Sequence, residues 1–441
     1  TSVTSVSLSP PVLHAQVAMA PASTHAACDP ATPATCSLEE LGAMLGVRIG
    51  TTIEPDEVVD AEYTETLLRE FNSVTPENAF KWYSIQPTEG AFAYASADTV
   101  LEFATTHHLA FRAHTLVWAQ NTYTPTWVRD IADPVDLRAA VVSHITAVMS
   151  RYADRVDRWD VVNEPLATFG SDPSESVMWA MGPDWIGDMF RLAHTLDADA
   201  ELWLNEYGSD WVPGKHEALV ELVRSLIDDG VPIDGVGIQT HRVPGVPLDA
   251  MRFAGQLRDF TDLGLEVALT ELDVPVSPTD PSAFSWQASE YRSAVAACLA
   301  VQGCTEITTW GLTDRSTWLD SLDLFPTPTR PLLFDDDAAP KPAYEAVRSL
   351  LAATVIARRS VEPGDGELPT TGPSGPVAPA LLAALGLVAA GSIAVMSSRR
   401  HHNRNAGKDT HRNKRVGSAT SAVGARAATV SEMPFPGASQ R

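Results

Sequence analysis

A chain of 441 residues is too long for a small stapled module and suits one large domain with appendages. Its 44% hydrophobic and 20% charged residues are the balance of a soluble globular protein. A formal net charge of −25 repels phosphate backbones and argues against nucleic acid as a partner.

Residues 1–36 are rich in Ala, Pro, Ser and Thr, show no periodicity and read as a disordered leader. Either a signal peptide has already been removed, or the apolar stretch around 12–20 is the tail of one. From Ser37 onward short β-rich runs alternate with longer amphipathic stretches. The runs fall at 44–50, 71–76, 109–117, 156–163, 201–206, 233–240, 266–271 and 306–312, with helical patterns between them, as at 136–152 and 215–229. Eight such units predict an α/β fold, a (β/α)8 TIM barrel over 37–355. A doubly wound sheet is the alternative, but the regularity of the units favours closure.

Residues 356–372 read as a linker ending in Leu368-Pro369-Thr370-Thr371-Gly372. The stretch 377–396 carries no charge over a length that can span a bilayer, and Arg399-Arg400 follows as a cytoplasmic flank would, so 373–400 reads as a hydrophobic span with an Arg stop. Residues 401–441 form a basic tail; past 372 the only acids are Asp409 and Glu432, so the acidic excess belongs to the body.

The four cysteines fall in two close pairs, Cys28 with Cys36 and Cys298 with Cys304, in no spacing typical of a zinc site. Short-loop disulfides of an exported protein are the simpler reading, and free buried thiols the other. The eleven tryptophans divide between core packing and flat faces that suit sugar rings. No metal or cofactor is predicted.

In a closed parallel barrel, the chemistry gathers where strands run into the following loops. Here those positions hold Glu77, Asn78 and Lys81; His114 and Trp118; Asn163 and Glu164; Asn205, Glu206 and Tyr207; Gln239 and His241; Glu271 and Asp273; and Trp310. A lone carboxylate at a strand end is more often a salt-bridge partner or helix cap. So many polar and aromatic endings at one mouth make a cleft instead. Two carboxylates on different strands suit glycoside cleavage, one protonated to donate to the departing oxygen and one ionised to attack.

The chain resembles glycoside hydrolase family 10, whose usual activity is endo-β-1,4-xylanase. The motifs that carry the likeness are FNSVTPENAFKWYSIQPTEGAF (71–92), HTLVW (114–118), WDVVNE (159–164), IDGVGIQTH (233–241), LTELDV (269–274), TTWGLTD (308–314) and LLFDDDAAPKPAYEAV (332–347), in family order. The resemblance implies that Glu164 is the acid/base and Glu271 the nucleophile, with His241 holding the Glu271 pKa down. It implies that Asn163 hydrogen-bonds both the sugar 2-OH and the nucleophile. Glu77, Asn78 and Lys81 match residues that bind the glycone sugar one step from the cut, and His114, Trp118, Gln239 and His241 those around the sugar being cleaved. Trp310 resembles the floor beneath that sugar and Trp318 the wall near C5, where xylose lacks a hydroxymethyl group. Tyr207 and Asp273 match second-line positions, and Cys298–Cys304 matches a family disulfide. The stretch Ala119–Pro125 departs from the family pattern beside the glycone sugars, which puts specificity there in question.

The expected function is therefore retaining endo-hydrolysis of xylan. A related β-1,4-glucanase or cellobiosidase, or an inactive surface carbohydrate-binding protein, are the competing readings. LPTTG followed by the apolar span fits the Gram-positive sorting signal. It implies cleavage between Thr371 and Gly372 by a sortase and linkage to peptidoglycan at the cell surface. Retention in the membrane through 377–396 is the alternative.

Overall fold

A computed structural model describes residues 27–280, 282–322 and 328–361. Eight strands, β1 (Arg48–Ile53), β2 (Ser73–Pro76), β3 (Ala110–Trp118), β4 (Arg158–Asn163), β5 (Glu201–Glu206), β6 (Gly235–Ile238), β7 (Glu266–Leu272) and β8 (Cys304–Thr309), pair in parallel and in chain order. The barrel closes where β1 meets β8, with Arg48 opposite Glu306 and Thr51 opposite Thr309. The predicted (β/α)8 architecture is the observed one. Helices Pro134–Tyr152 and Lys215–Asp228 coincide with the expected helical stretches to within two residues.

The first strand lies further on than 44–50. Residues 38–45 form a helix instead, opened by a Ser37–Glu40 capping box and ended by Gly46 at φ +70°, a conformation glycine adopts without steric cost. Met44 and Leu45 thus end a helix, and the strand starts at Arg48. The leader predicted over 1–36 is also too long. A disulfide joins Cys28 to Cys36 around the turn Pro33–Thr35, and the helix that follows is tied down where the Leu38 amide donates to Glu70 Oε2. Tyr344 of the final helix donates to the same oxygen, joining the two ends of the domain. That helix, Pro342–Val361, carries the domain past the expected boundary at 355. The second disulfide, Cys298–Cys304, links the end of helix Ala283–Leu299 to the start of β8, so no described cysteine is free.

The barrel is filled by charge as well as by hydrocarbon. Arg112 donates to Asp160 at 2.6 Å, Arg158 donates to Glu306 at 2.8 Å, and Ser73 donates to Glu306 at 2.6 Å. The centre of the Trp203 ring lies 4.7 Å from the Arg112 guanidinium and 4.6 Å from that of Arg158. Buried charges cost free energy unless paired, and here every one has partners. This lattice fixes β2, β3, β4 and β8 to one another beneath the mouth.

Candidate active site

The C-terminal ends of the strands surround a cavity of about 380 Å³. β2 leads into Glu77, Asn78 and Lys81. Asn78 accepts from Tyr83 at 2.7 Å and from Lys81 at 3.3 Å, and donates to Glu77 at 3.2 Å. Behind this trio, Glu54 accepts from the Asn78 amide, and Glu57 accepts from the Glu54 amide at 2.8 Å. Burial and the neighbouring Glu77 push Glu54 up to about 7 and Glu57 up to about 8.

β3 supplies His114, whose Nδ1 lies 2.9 Å from Asp160 and whose ring meets Trp310 edge-on at 5.4 Å. Trp118, at the end of the same strand, lies under the Lys81 ammonium, 4.7 Å from the ring centre. Trp310 and the half-buried Trp318 complete the aromatic lining.

Glu164 follows β4 with φ +55°, a strained conformation for a residue with a β-carbon. Its amide is held by the Asn205 carbonyl at 2.9 Å. Its carboxylate accepts from Gln239 at 2.8 Å and from Asn163 at 3.4 Å. Burial pushes this carboxyl above its ordinary value, against the hydrogen bond from Gln239.

Glu271, on β7, is tuned the other way. Burial raises it, but the His241 hydrogen bond, with the charges of His114, His241 and Lys81, outweighs burial and holds it below the ordinary value. His241 Nε2 lies 3.1 Å from Glu271, and Nδ1 lies 2.9 Å from Asp273. Burial alone would lower His241; Asp273 and Glu271 reverse that and push it up to about 10, so it donates to both at neutral pH. Asp273 also accepts from the Trp318 indole at 2.8 Å, so it orients histidine and tryptophan together from behind the cavity wall. One buried carboxyl inclined to keep its proton therefore faces the same space as one inclined to lose it.

The family model for glycosyl hydrolase family 10 matches residues 37–350. The chain belongs to glycosyl hydrolase family 10. Among its relatives, endo-1,4-beta-xylanase 1 of Humicola insolens is 34% identical over 329 residues, covering 73% of this chain and 76% of its own. The endo-1,4-beta-xylanase of Agaricus bisporus is 32% identical over 318 residues, covering 71% and 93%. The crystal structure of native xylanase 10B from Thermotoga maritima superposes with a TM-score of 0.67 at 31% identity, covering 73% of this chain and 99% of that one. Xylanase 10B from Thermotoga petrophila RKU-1, solved in complex with xylobiose, gives 0.67 at 31% identity, covering 72% and 98%.

Every residue singled out in the family 10 motifs as touching sugar or performing chemistry lines the cavity, and Asp273 stands immediately behind it. One contact differs. Asn163 does not donate to Glu271; its Oδ1 accepts from Asn205 and Gln239, and Asn205 makes the bond to Glu271, at 2.7 Å. Asn205 reaches further because Thr270 donates to its Oδ1 and aims its amide nitrogen at the carboxylate.

The cavity also includes Tyr83, Gln120, Thr122, Tyr123, Thr168, Ser321 and Leu322, none of which is a strand end. Tyr123 comes from the stretch that departs from the family pattern and stacks on Trp118 at 3.6 Å with 7° between the rings. Asn121 braces that stretch by donating to the Glu175 carbonyl and accepting from the Val177 amide. Among the described residues, no group of three or more His, Cys, Asp or Glu side chains is placed to hold a metal ion. No helix among them is long and apolar enough to cross a membrane; LPTTG, the stretch 377–396 and the basic tail lie outside them.

Proposed function

We propose that this family 10 hydrolase is an extracellular endo-1,4-β-xylanase acting with net retention, with Glu164 as acid/base and Glu271 as nucleophile. The observation that carries the reading is the opposite tuning of these two carboxyls within one cavity. Glu271 attacks the anomeric carbon while Glu164 protonates the departing oxygen. Glycosylation removes the negative charge of Glu271, so the pKa of Glu164 falls, and Glu164 then takes the proton of the water that releases the sugar. Asn205 and His241 hold the nucleophile for attack. Asn78, Lys81 and Glu77 bind the glycone side, and Trp310 and Trp318 provide the floor and a wall of the sugar site. The names of the curated relatives support xylan as the substrate.

The test is to assay the full chain on xylan and on soluble cellulose. Release of reducing ends from xylan well ahead of cellulose is expected; no release from xylan would sink the reading. Glu271→Gln should fold and lose activity by several orders of magnitude. Glu164→Ala should lose xylan turnover and recover activity with azide on substrates whose leaving group needs no proton.

The two disulfides support an oxidising, extracellular setting. We further propose that LPTTG directs sorting to the wall of a Gram-positive cell, with cleavage after Thr371 and linkage to peptidoglycan. Mass spectrometry of wall-digested cells should find a chain ending at Thr371, whereas a chain continuing through 377–396 would assign a membrane anchor instead.

A further inference from the structure

Directly behind Glu164 lies a buried ion pair that the chemistry above does not use. Glu206 ends β5 and Lys215 opens the helix Lys215–Asp228, and neither side chain has measurable exposure. The Lys215 ammonium lies 3.0 Å from Glu206 Oε1. It also sits 3.5 Å from the centre of the Tyr207 ring, on the cavity wall. The two Glu206 oxygens each hold a backbone amide: Oε2 accepts from Leu166 at 3.1 Å and Oε1 from Tyr207 at 3.0 Å. Leu166 is two residues beyond Glu164, in the segment that leaves β4 through the strained φ of the acid/base.

Stability alone does not account for this arrangement. A buried ion pair is weak evidence for stability, because desolvation offsets much of its attraction. A lysine in the first turn of a helix also opposes the helix dipole. What the pair does achieve is to join the backbone after Glu164 to the backbone of Tyr207 through one carboxylate, and to set two opposite charges beside Glu164.

We infer that Glu206 and Lys215 are positioning residues for proton transfer, a clamp that holds the segment carrying Glu164 and balances the charge it feels. This rests on the reading of Glu164 as acid/base. The charged or titratable groups facing Glu164 are Glu271 from β7, Lys81 beyond β2, Tyr123 beyond β3, Glu206 and Tyr207 from β5, and Lys215. Of these, Glu206 favours the protonated form of Glu164 and Lys215 the ionised form. The intact pair lets the two effects offset.

The experiment compares pH profiles of kcat/KM for wild type, Glu206→Gln and the double variant Glu206→Gln/Lys215→Met, on xylan and on an aryl xylobioside with an activated leaving group. Glu206→Gln leaves the ammonium uncompensated, so the basic limb on xylan should move to lower pH by about one unit. The double variant should move it back. The activated substrate, which needs little protonation, should lose far less rate than xylan. If Glu206→Gln does not fold, Lys215→Gln applies the same test with opposite sign, and the basic limb should move to higher pH. An unmoved limb, or equal loss on both substrates, overturns the inference. Glu164→Ala separates this from failure of the underlying reading: if the basic limb persists in that variant, Glu164 is not the acid/base, whereas a limb lost there but unmoved in the clamp variants overturns the clamp alone.

Discussion

His241 Nε2 lies 3.1 Å from Glu271 Oε2, and that contact, backed by Asp273 on the other ring nitrogen, decides the ionisation of the nucleophile. A carboxylate this deeply buried would otherwise be driven toward its neutral form.

His241→Ala should therefore raise the pKa of Glu271. The acid limb of kcat/KM, which reports ionisation of the nucleophile, should move to higher pH. A hydrogen bond to a charged group contributes about 1.5–3 kcal/mol, so kcat/KM on xylan at neutral pH should fall about ten- to a hundredfold. An acid limb that stays in place while activity falls would assign His241 to sugar binding alone.

The same groups give stability a definite pH dependence. Glu54 and Glu57 are raised from 4.5 to about 7 and about 8, and His241 from 6.5 to about 10. In each case the folded state holds the proton more tightly than the unfolded chain. Their contribution is complete below the unfolded value and drains as pH rises through the folded one. Asp160, Glu271 and Glu306 are held low, so they lose their contribution only in acid. Lys81 and Lys341, lowered by burial, work in the opposite direction at the alkaline end. The thermal midpoint should peak at about pH 5 and decline toward about pH 9, and Glu57→Gln should flatten the decline below about pH 8. Thermal melts across that range check this, and a midpoint that climbs from neutral to alkaline pH contradicts it.

Glu164 and Glu271 can be read in the sequence because each closes a β-rich run, and parallel closure brings all such ends to one mouth. The identity of Glu271's amide partner cannot be read that way. Asn163 and Asn205 are both strand ends, and which of them reaches Glu271 depends on Thr270 and on side-chain aim. Tyr123 and Tyr83 come from loops and short turns, where composition carries no signal of direction. The first strand is displaced because 44–50 is apolar enough for either state, and the capping box at Ser37 decides for the helix. The turn before Cys36 looks disordered by composition, and the disulfide overrides that. Glu206 and Lys215 are separated by a loop, so their pairing has no local pattern at all.

Tyr123 bears on specificity. Its parallel stack on Trp118 closes one side of the cavity with a residue from the stretch that departs from the family pattern. An aromatic pair of this kind contributes about 0.5–1.5 kcal/mol beyond its buried area. Tyr123→Ala frees Trp118 and should raise KM for short xylo-oligosaccharides about two- to tenfold, with a smaller change in kcat. Steady-state kinetics on xylotriose and xylotetraose test it; an unchanged KM would mean that the stack faces away from bound sugar.

The barrel wall is coupled to the nucleophile through one glycine. Gly237 lies in β6, and a β-carbon there would stand 2.2 Å from Asn205 Oδ1 and 2.8 Å from Thr270 Cγ2. Neither neighbour is a free, flexible end. Asn205 is held at once by Thr270, Asn163 and Glu271, and Thr270 sits on β7 beside the nucleophile. Gly237→Ala must therefore push Asn205 out of its contact with Glu271 or pry β6 from its neighbours. Overpacking of this kind costs about 1–3 kcal/mol, which lowers the midpoint without unfolding the chain at ambient temperature. The displaced amide should also cost kcat on xylan by about tenfold or more, through loss of a hydrogen bond to a charged group. A variant with reduced stability and wild-type kcat would contradict this coupling: either the barrel absorbs the methyl group elsewhere, or Asn205 is not needed to hold Glu271.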